Sequence, residues 1–454
     1  MRPFAPHMKN TVKMRNDPLT ENPKVGLIAL GCEKNRIDAE IMLAALQREG
    51  CEICADEDEC DVIIVHTCAF IDKAKEESIE NILAAAHKKT TGKCKKLIVT
   101  GCLAERYRTE IINSIPEVDA VLGTKSFDKI TEAVKKSSEK KYEHYRSLDK
   151  IPPTGQRVLS SSNYSVYLKI AEGCSNHCSY CVIPMLRGEF MPRKYADVVA
   201  EAEALAANGA VEINLIAQDT TAHPDLCRIV KRIAKLETVK WIRILYFRPE
   251  EITDEIITLF ETEEKLVKYM DIPLQHASEH ILKLMNRPMS DGELKALVSK
   301  LKSRVDGVSL RTTFITGFPH ETEEDFEILC NFVKESRFNN LGVFTYSRED
   351  GTKAGRMHGQ IDEETKRRRA EIIMDIQNTL LESINKEFIG KTFDVLCDGY
   401  DEEKELFSGR AYFQAPDVDG KIYFASDDPA EEGSFYKVRL DVYDSYDFYG
   451  KAVM

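Results

Sequence analysis

Gly173-Cys174-Ser175-Asn176-His177-Cys178-Ser179-Tyr180-Cys181 sets three cysteines within eight residues, at spacings of four and three. Three unrelated core cysteines are improbable in so short a stretch. A loop of this kind can wrap three thiolates around one iron–sulfur cube. Cubanes usually take four cysteines, so a set of three leaves one iron open to an outside ligand. A closed structural zinc site needs four protein ligands. His177 could be the fourth, although it lies between two of the cysteines and zinc sites usually use paired Cys-x-x-Cys knuckles. The spacing favours the cluster and leaves zinc open.

The loop directly follows a short apolar run at 166–170, read as a buried strand. From 164 onward, strand patterns recur at 166–170, 211–217, 242–247, 269–273, 310–315 and 341–345. Helical patterns such as 197–207 and 323–335 separate them, and a long one over 363–387 closes the region. Repeated β/α units predict a full or partial β/α barrel, with the cysteine loop at its catalytic C-terminal face. Upstream, strands at 25–30, 61–66 and 96–100 alternate with helices at 36–49, 72–87 and near 105–112. That is a βαβ pattern and predicts a mostly parallel sheet. Residues 131–160 lose the periodicity, with Lys135, Lys136, Ser137, Ser138, Lys140, Lys141 and then Pro152-Pro153, and read as a polar linker. The tail shows short strands at 392–396, 409–413, 421–425 and 435–442, with turns at Asp419-Gly420 and Glu432-Gly433. It predicts a small antiparallel β-barrel or sandwich. The expected division is an extension (1–23), an N-terminal α/β domain (24–150), a partial barrel (160–388) and a small β-barrel (389–454).

Cys32, Cys68 and Cys102 are far apart in sequence, yet each follows a predicted strand of the first domain. In a parallel sheet those loops converge at the carboxyl edge, where open α/β sheets place their ligands. Any one of them alone would be an ordinary buried cysteine. Three at equivalent strand ends read as a second three-thiol site. Cys51, Cys54, Cys60, Cys94, Cys227, Cys330 and Cys397 show no such pattern and read as structural. Cys51-x-x-Cys54 has redox-like spacing but no βαβ opening.

The composition of the 454 residues bounds the rest. Thirteen cysteines, an odd number in a long chain, exclude a small disulfide scaffold. Residues 1–22 hold Arg2, Lys9, Lys13 and Arg15 but no apolar core, so no signal peptide is read there. No run of 18 apolar residues occurs, so no membrane span is expected. A cytosolic protein with reduced thiols is the expectation. The net charge of −13 argues against a broad nucleic-acid grip. Residues 389–454 carry seven basic against fifteen acidic side chains, a net of −8. Such a module repels phosphates and suits a basic protein partner. Lys366-Arg367-Arg368-Arg369 reads as a solvated helix face, with contact to RNA as the alternative.

The Cys174 motif resembles the signature of the radical S-adenosylmethionine superfamily, over about 160–385. Gly31-Cys32-Glu33-Lys34-Asn35, His66-Thr67-Cys68-Ala69-Phe70 and Thr100-Gly101-Cys102-Leu103 resemble the N-terminal domain of methylthiotransferases. The tail resembles the TRAM module. Residues 168–174, 215–221, 271–278 and 311–315 look like the branch that modifies small-subunit ribosomal protein S-twelve. The resemblance implies transfer of a methylthio group to the β-carbon of an aspartate of that protein. The sister branch, acting on an adenosine of transfer RNA, is the alternative.

The implied cofactors are two [4Fe-4S] clusters and S-adenosylmethionine. Cys32, Cys68 and Cys102 would hold the first cluster; Cys174, Cys178 and Cys181 would hold the second, which binds the sulfonium cofactor. The implied cofactor contacts are Gly209 and Glu212 (in a turn matched to the second strand), Gln218, and Gly317 and Pro319 in the 313–319 stretch. His320 stands where related sequences usually have glycine. The implied partners are ribosomal protein S-twelve, an electron donor such as flavodoxin or ferredoxin, and a sulfur source. Neither a membrane nor strong direct nucleic-acid binding is expected, and the expected location is the cytoplasm.

Overall fold

The computed structural model describes residues 19–136, 141–152 and 154–453. Residues 1–18 of the expected extension, and Ser137, Ser138, Lys140 and Pro153 of the expected linker, lie outside the described residues. The chain falls into two compact units. One comprises Met1–Ser161, Ala171–His177 and Cys181–Arg193; the other comprises Ser162–Ile170, Cys178–Tyr180 and Lys194–Met454.

The first unit is built on one sheet of β1 (Lys24–Ala29), β2 (Glu52–Ile53), β3 (Val62–Thr67), β4 (Lys96–Gly101), β5 (Val118–Leu122) and β6 (Tyr142–His144). Its order is β2-β1-β3-β4-β5-β6, and every neighbouring pair is parallel. β3 and β4 are buried along their whole length, as central parallel strands covered on both faces must be. Helices α1 (Glu33–Arg48) and α2 (Asp72–Thr91) follow β1 and β3. Short helices α3 (Cys102–Tyr107) and α4 (Thr109–Ser114) follow β4.

The sheet also continues into the stretch expected to be a linker. There α5 (Ile130–Lys136) and β6 form, with Tyr142 paired to Ala120. A three-residue strand reading Tyr-Glu-His carries no periodicity, so its existence rests on pairing alone. β8 (Ala171–Glu172) and the segment after it, Cys178–Tyr180 excepted, belong to this unit as well. β8 pairs with β9 (Met191–Pro192), and Val182, which caps α6 (Ile183–Arg187), and Leu186 within it join the core that holds Leu103 and Ile111.

The second unit carries β7 (Ser165–Lys169), β10 (Glu212–Ile216), β11 (Trp241–Ile244), β12 (Leu266–Asp271), β13 (Ser309–Thr316) and β14 (Asn340–Thr345). They form a six-stranded parallel sheet in the order β14-β13-β12-β11-β10-β7. This is the partial form of the barrel. The tail forms a closed five-stranded barrel of β15 (Thr392–Asp401), β16 (Leu406–Arg410), β17 (Ile422–Ala425), β18 (Phe435–Asp444) and β19 (Asp447–Ala452). β19 is a strand beyond those expected. It closes the barrel by pairing parallel with β17, while the other pairs are antiparallel. Val395, Ile422, Phe424, Val438 and Phe448 fill the interior.

Buried ions join this barrel to the sheet. Glu212, fully buried, accepts hydrogen bonds from Arg410 (2.9 Å), Ser165 (2.6 Å) and Arg243 (3.2 Å). Arg410 also binds Asp398 at 2.9 Å. Arg311 reaches Asp271 and Asp419, each at 3.3 Å, and the Tyr269 hydroxyl donates to Asp419 at 2.6 Å.

The basic run 366–369 is only half solvated, which corrects the expectation. Arg367 and Arg368 are exposed. Lys366 and Arg369 are buried, the first donating to the Tyr346 carbonyl and the second to Glu321 and Glu323.

Arg410→Ala leaves Glu212 and Asp398 without their shared counter-ion. The expected loss is about 3–5 kcal/mol of stability, read from urea unfolding at pH 7. Burial pushes the Glu212 carboxyl up, but Arg410 and Arg243 more than offset it and hold it below 4.5. Its share of stability is therefore present at neutral pH and fades as pH falls below about 4.5. The deficit of the variant should shrink in acid.

Candidate active site

Parallel pairing brings the first three cysteines to one sheet edge. Ala29 pairs with His66, and Thr67 with Gly101. Cys32, Cys68 and Cys102 follow those residues within three positions, on three adjacent strands. Gly31 and Gly101 make the turns possible. Both have φ near +90°, at 90° and 97°. A Cβ on Gly31 would sit 2.9 Å from the Cys68 Sγ, and one on Gly101 would sit 2.5 Å from the Thr67 carbonyl oxygen. The Ser78 hydroxyl of α2 clamps the Cys68 backbone, accepting from its N–H and donating to its carbonyl.

Cys32 is exposed, whereas Cys68 and Cys102 are buried. Burial pushes the Cys102 thiol up to about 12, against the pull of the nearby Arg187 charge. Burial also raises the Cys68 thiol, opposed by the Phe70 backbone N–H.

Arg187, the last residue of α6, lies against this edge and was not foreseen from the sequence. It is 2% exposed. Its guanidinium donates to Glu172 (2.8 Å), Asp38 (3.2 Å) and the Asn35 side-chain oxygen. The Asn35 amide in turn donates to the carbonyls of Leu30 (2.9 Å) and Thr67 (3.1 Å), tying together the turns that carry Cys32 and Cys68.

Cys174, Cys178 and Cys181 are half-buried in their loop. Gly173 starts it at φ 77°, where a Cβ would lie 2.1 Å from the Glu189 carbonyl oxygen. Each thiol receives an N–H donor: Asn176 on Cys174 (3.3 Å), Arg248 on Cys178 (3.7 Å) and Ile183 on Cys181 (3.4 Å). Donors aimed at sulfur suit thiolate ligands of an iron–sulfur cluster. The His177 ring faces Glu189 at 3.3 Å, with both side chains more than half exposed. Among the described residues, no three His, Cys, Asp or Glu side chains converge on a single metal ion. A cube sets its thiolates on separate corners and does not require that convergence.

In the second unit, the C-terminal ends of the parallel strands gather polar side chains. Gln218 and Asp219 follow β10; Arg248, Glu250 and Glu251 follow β11; Gln275 and His276 follow β12; Gly317 and Pro319 follow β13. Cys178–Tyr180 belongs to the same unit, with Tyr180 edge-on to Phe318. Burial, then Asp219, raises the Glu251 carboxyl to about 7. Gly317 (φ 71°) and Phe318 are pinned by their N–H groups on Glu321. His320 adopts φ 68° and donates its N–H to Gly359, so the turn keeps a conformation that glycine adopts freely.

Gly209 and Glu212 are not part of this edge. They lie before and at the start of β10, at the opposite end of the strand from Gln218 and Asp219. The Glu212 carboxylate is consumed by Arg410 and Arg243. Their expected role as cofactor contacts is therefore withdrawn.

Family models match three stretches: Uncharacterized protein family UPF0004 at 24–123, the Radical SAM superfamily at 168–333 and the TRAM domain at 389–453. Ribosomal protein uS12 methylthiotransferase RimO of Clostridium botulinum (strain Eklund 17B / Type B) is 44% identical over 437 residues, which is 94% of this chain and 97% of the relative. The same enzyme of strain Hall is 45% identical over 440 residues, covering 95% and 98%. Among solved structures, the radical S-adenosylmethionine methyltransferase TsrM from Kitasatospora setae superposes with a TM-score of 0.52 at 14% identity, over 74% of this chain and 77% of that one. That likeness shows the fold alone.

In metal-free protein, iodoacetamide at pH 8 should label the exposed Cys32 first. Cys102 should stay protected, because a thiol raised to about 12 holds its proton there and only the thiolate attacks. Peptide mass spectrometry after timed quenching checks the order. Equal labelling of the two would contradict the burial of Cys102.

Proposed function

The chain belongs to the family of ribosomal protein uS12 methylthiotransferases, with a radical SAM core, and we propose that it transfers a methylthio group to the β-carbon of an aspartate of ribosomal protein uS12. The carrying observation is a likeness of 44–45% over nearly the whole chain. Two separate three-thiol sets on strand-end loops support it. We assign Cys32, Cys68 and Cys102 to one [4Fe-4S] cluster, and Cys174, Cys178 and Cys181 to a second that binds S-adenosylmethionine. When bound, these groups would supply one-electron chemistry able to break an unactivated C–H bond, and the sulfur that replaces the hydrogen.

The chain's own residues prepare both sites. Three thiols per cluster leave one iron corner free for a non-protein ligand. Asn176, Arg248 and Ile183 donate to the sulfurs of the second set. Gln218, Gly317 and Pro319 remain proposed contacts of the sulfonium cofactor, with Glu321 holding the Gly317 turn.

The boundaries 24–150, 160–388 and 389–454 are proposed as the functional modules, supported by the family models matched within them. The exposed acids of the barrel, among them Glu402, Glu403, Asp427, Asp428 and Glu431, favour docking of a basic protein. Among the described residues no helix is long and apolar enough to cross a membrane, and we place the reaction in the cytoplasm, where uS12 is made. A one-electron donor of the flavodoxin or ferredoxin class and a sulfur source complete the stoichiometry.

The test is mass spectrometry of ribosomal proteins and tRNA from cells with and without this chain. Loss of the methylthio mark from uS12 is expected; loss from tRNA alone overturns the substrate. Cys32→Ala is expected to abolish methylthio transfer while the second site still takes up iron. Intact transfer in that variant would sink the two-cluster scheme.

A further inference from the structure

Arg187 is a full positive charge in a place that water does not reach. A buried arginine is costly unless carboxylates and further hydrogen bonds answer it, and an apolar side chain of similar size often serves stability as well. Here two carboxylates answer it, Asp38 from α1 and Glu172 from β8. The amide oxygen of Asn35 takes a further N–H. The Cys102 thiol donates to that same Asn35 oxygen at 4.0 Å, and the Arg187 charge pulls against the burial that raises the Cys102 and Cys68 thiols. The helix that carries it is fixed in turn, because the Thr124 hydroxyl donates to the Leu186 carbonyl at 2.6 Å.

Arg187 also belongs to the segment that carries the second cysteine set. Glu172 lies two residues before Cys174, Arg187 lies six after Cys181, and the Cys174 N–H donates to the Gly188 carbonyl at 3.0 Å. One side chain therefore ties that segment, through Asn35, to the turns of Cys32 and Cys68. Its charge stands where an extra electron on a cluster would be felt. Reduction adds one negative charge, and a nearby fixed cation makes that addition easier.

We propose that Arg187 is a positioning residue of the first site, whose fixed charge raises the reduction potential of the cluster held by Cys32, Cys68 and Cys102 and whose fork anchors the Cys174 segment to it. The proposal rests on the two-cluster reading above. Asp38 is one of the two opposing charges on the same guanidinium.

The test uses the full-length chain with Cys174, Cys178 and Cys181 replaced by Ala, so that only the first site is loaded. It is reconstituted anaerobically with iron and sulfide and titrated by EPR. About four irons per chain are expected. A variant that takes up none refutes the two-cluster reading itself, before Arg187 is tested. With iron bound, Arg187→Met should shift the midpoint potential negative, Arg187→Lys should keep it closer to the parent, and Asp38→Asn should shift it positive. Shifts of opposite sign at the two partners are not expected of a purely packing role. Unchanged potentials in all three at full iron content overturn the proposal. If Arg187→Met fails to hold iron, Asp38→Asn decides, since a fully loaded variant without a positive shift is equally fatal.

Discussion

Parallel pairing of β1, β3 and β4 is the constraint on which the first site depends. In an antiparallel sheet, successive strand ends would alternate between edges, and Cys32 and Cys102 could not share an edge with Cys68. Here all three strands run the same way and in register, so residues separated by more than thirty positions become neighbours. The turns must then be tight enough to bring thiols, rather than longer loops, to that edge. Gly31 and Gly101 meet this requirement with positive φ, and in each case the space a side chain would need is already filled by the neighbouring strand end. The Gly-Cys dipeptides are thus geometric as well as chemical signals.

Buried charge supplies the second level of order. Arg187, Arg243, Arg410 and Arg311 each meet a carboxylate distant in sequence: Asp38 for the first, Glu212 for the second and third, and Asp419 for the fourth. Apolar faces tolerate sliding, because area removed from water changes little with small shifts. A guanidinium fork with two or three acceptors does not tolerate it, because a shift leaves an ion buried and unanswered. The small barrel is positioned on its sheet in this way, by Glu212 and Asp398 around Arg410, and by Asp419 between Arg311 and Tyr269.

The parts legible in the sequence are those with a local signature. Apolar runs such as 62–66 and 310–315 marked buried parallel strands, and the cysteines after them marked one edge. What lacked a local signature was missed. β6 is a polar tripeptide held by its neighbour, and β2 is two residues long. Lys366 and Arg369 resemble any solvated basic run, because the Glu321 and Glu323 that bury Arg369 lie more than forty positions away. Arg187 is separated from Asp38 by 149 residues, so nothing near it announced an ion pair. Gly209 and Glu212 were misplaced for a different reason. A motif can be assigned to a strand while the end of the strand it occupies is misjudged, and in a parallel sheet the two ends are different environments.

The acidic excess of the tail gains meaning from the same contacts. Asp398 and Asp419 point into the unit and are answered there, largely by Arg410 and Arg311. Setting those two acids and Arg410 aside leaves thirteen acidic against six basic side chains in 389–454, still a net of −7. The charge is therefore a property of the barrel's outward surface and not a by-product of its anchoring. A net charge of that sign opposes a phosphate backbone, since RNA binding draws its free energy from counterions displaced by Lys and Arg. It attracts a cationic protein by the same law. Anchoring at Asp398 and Asp419 thus leaves the net charge of this small module strongly negative.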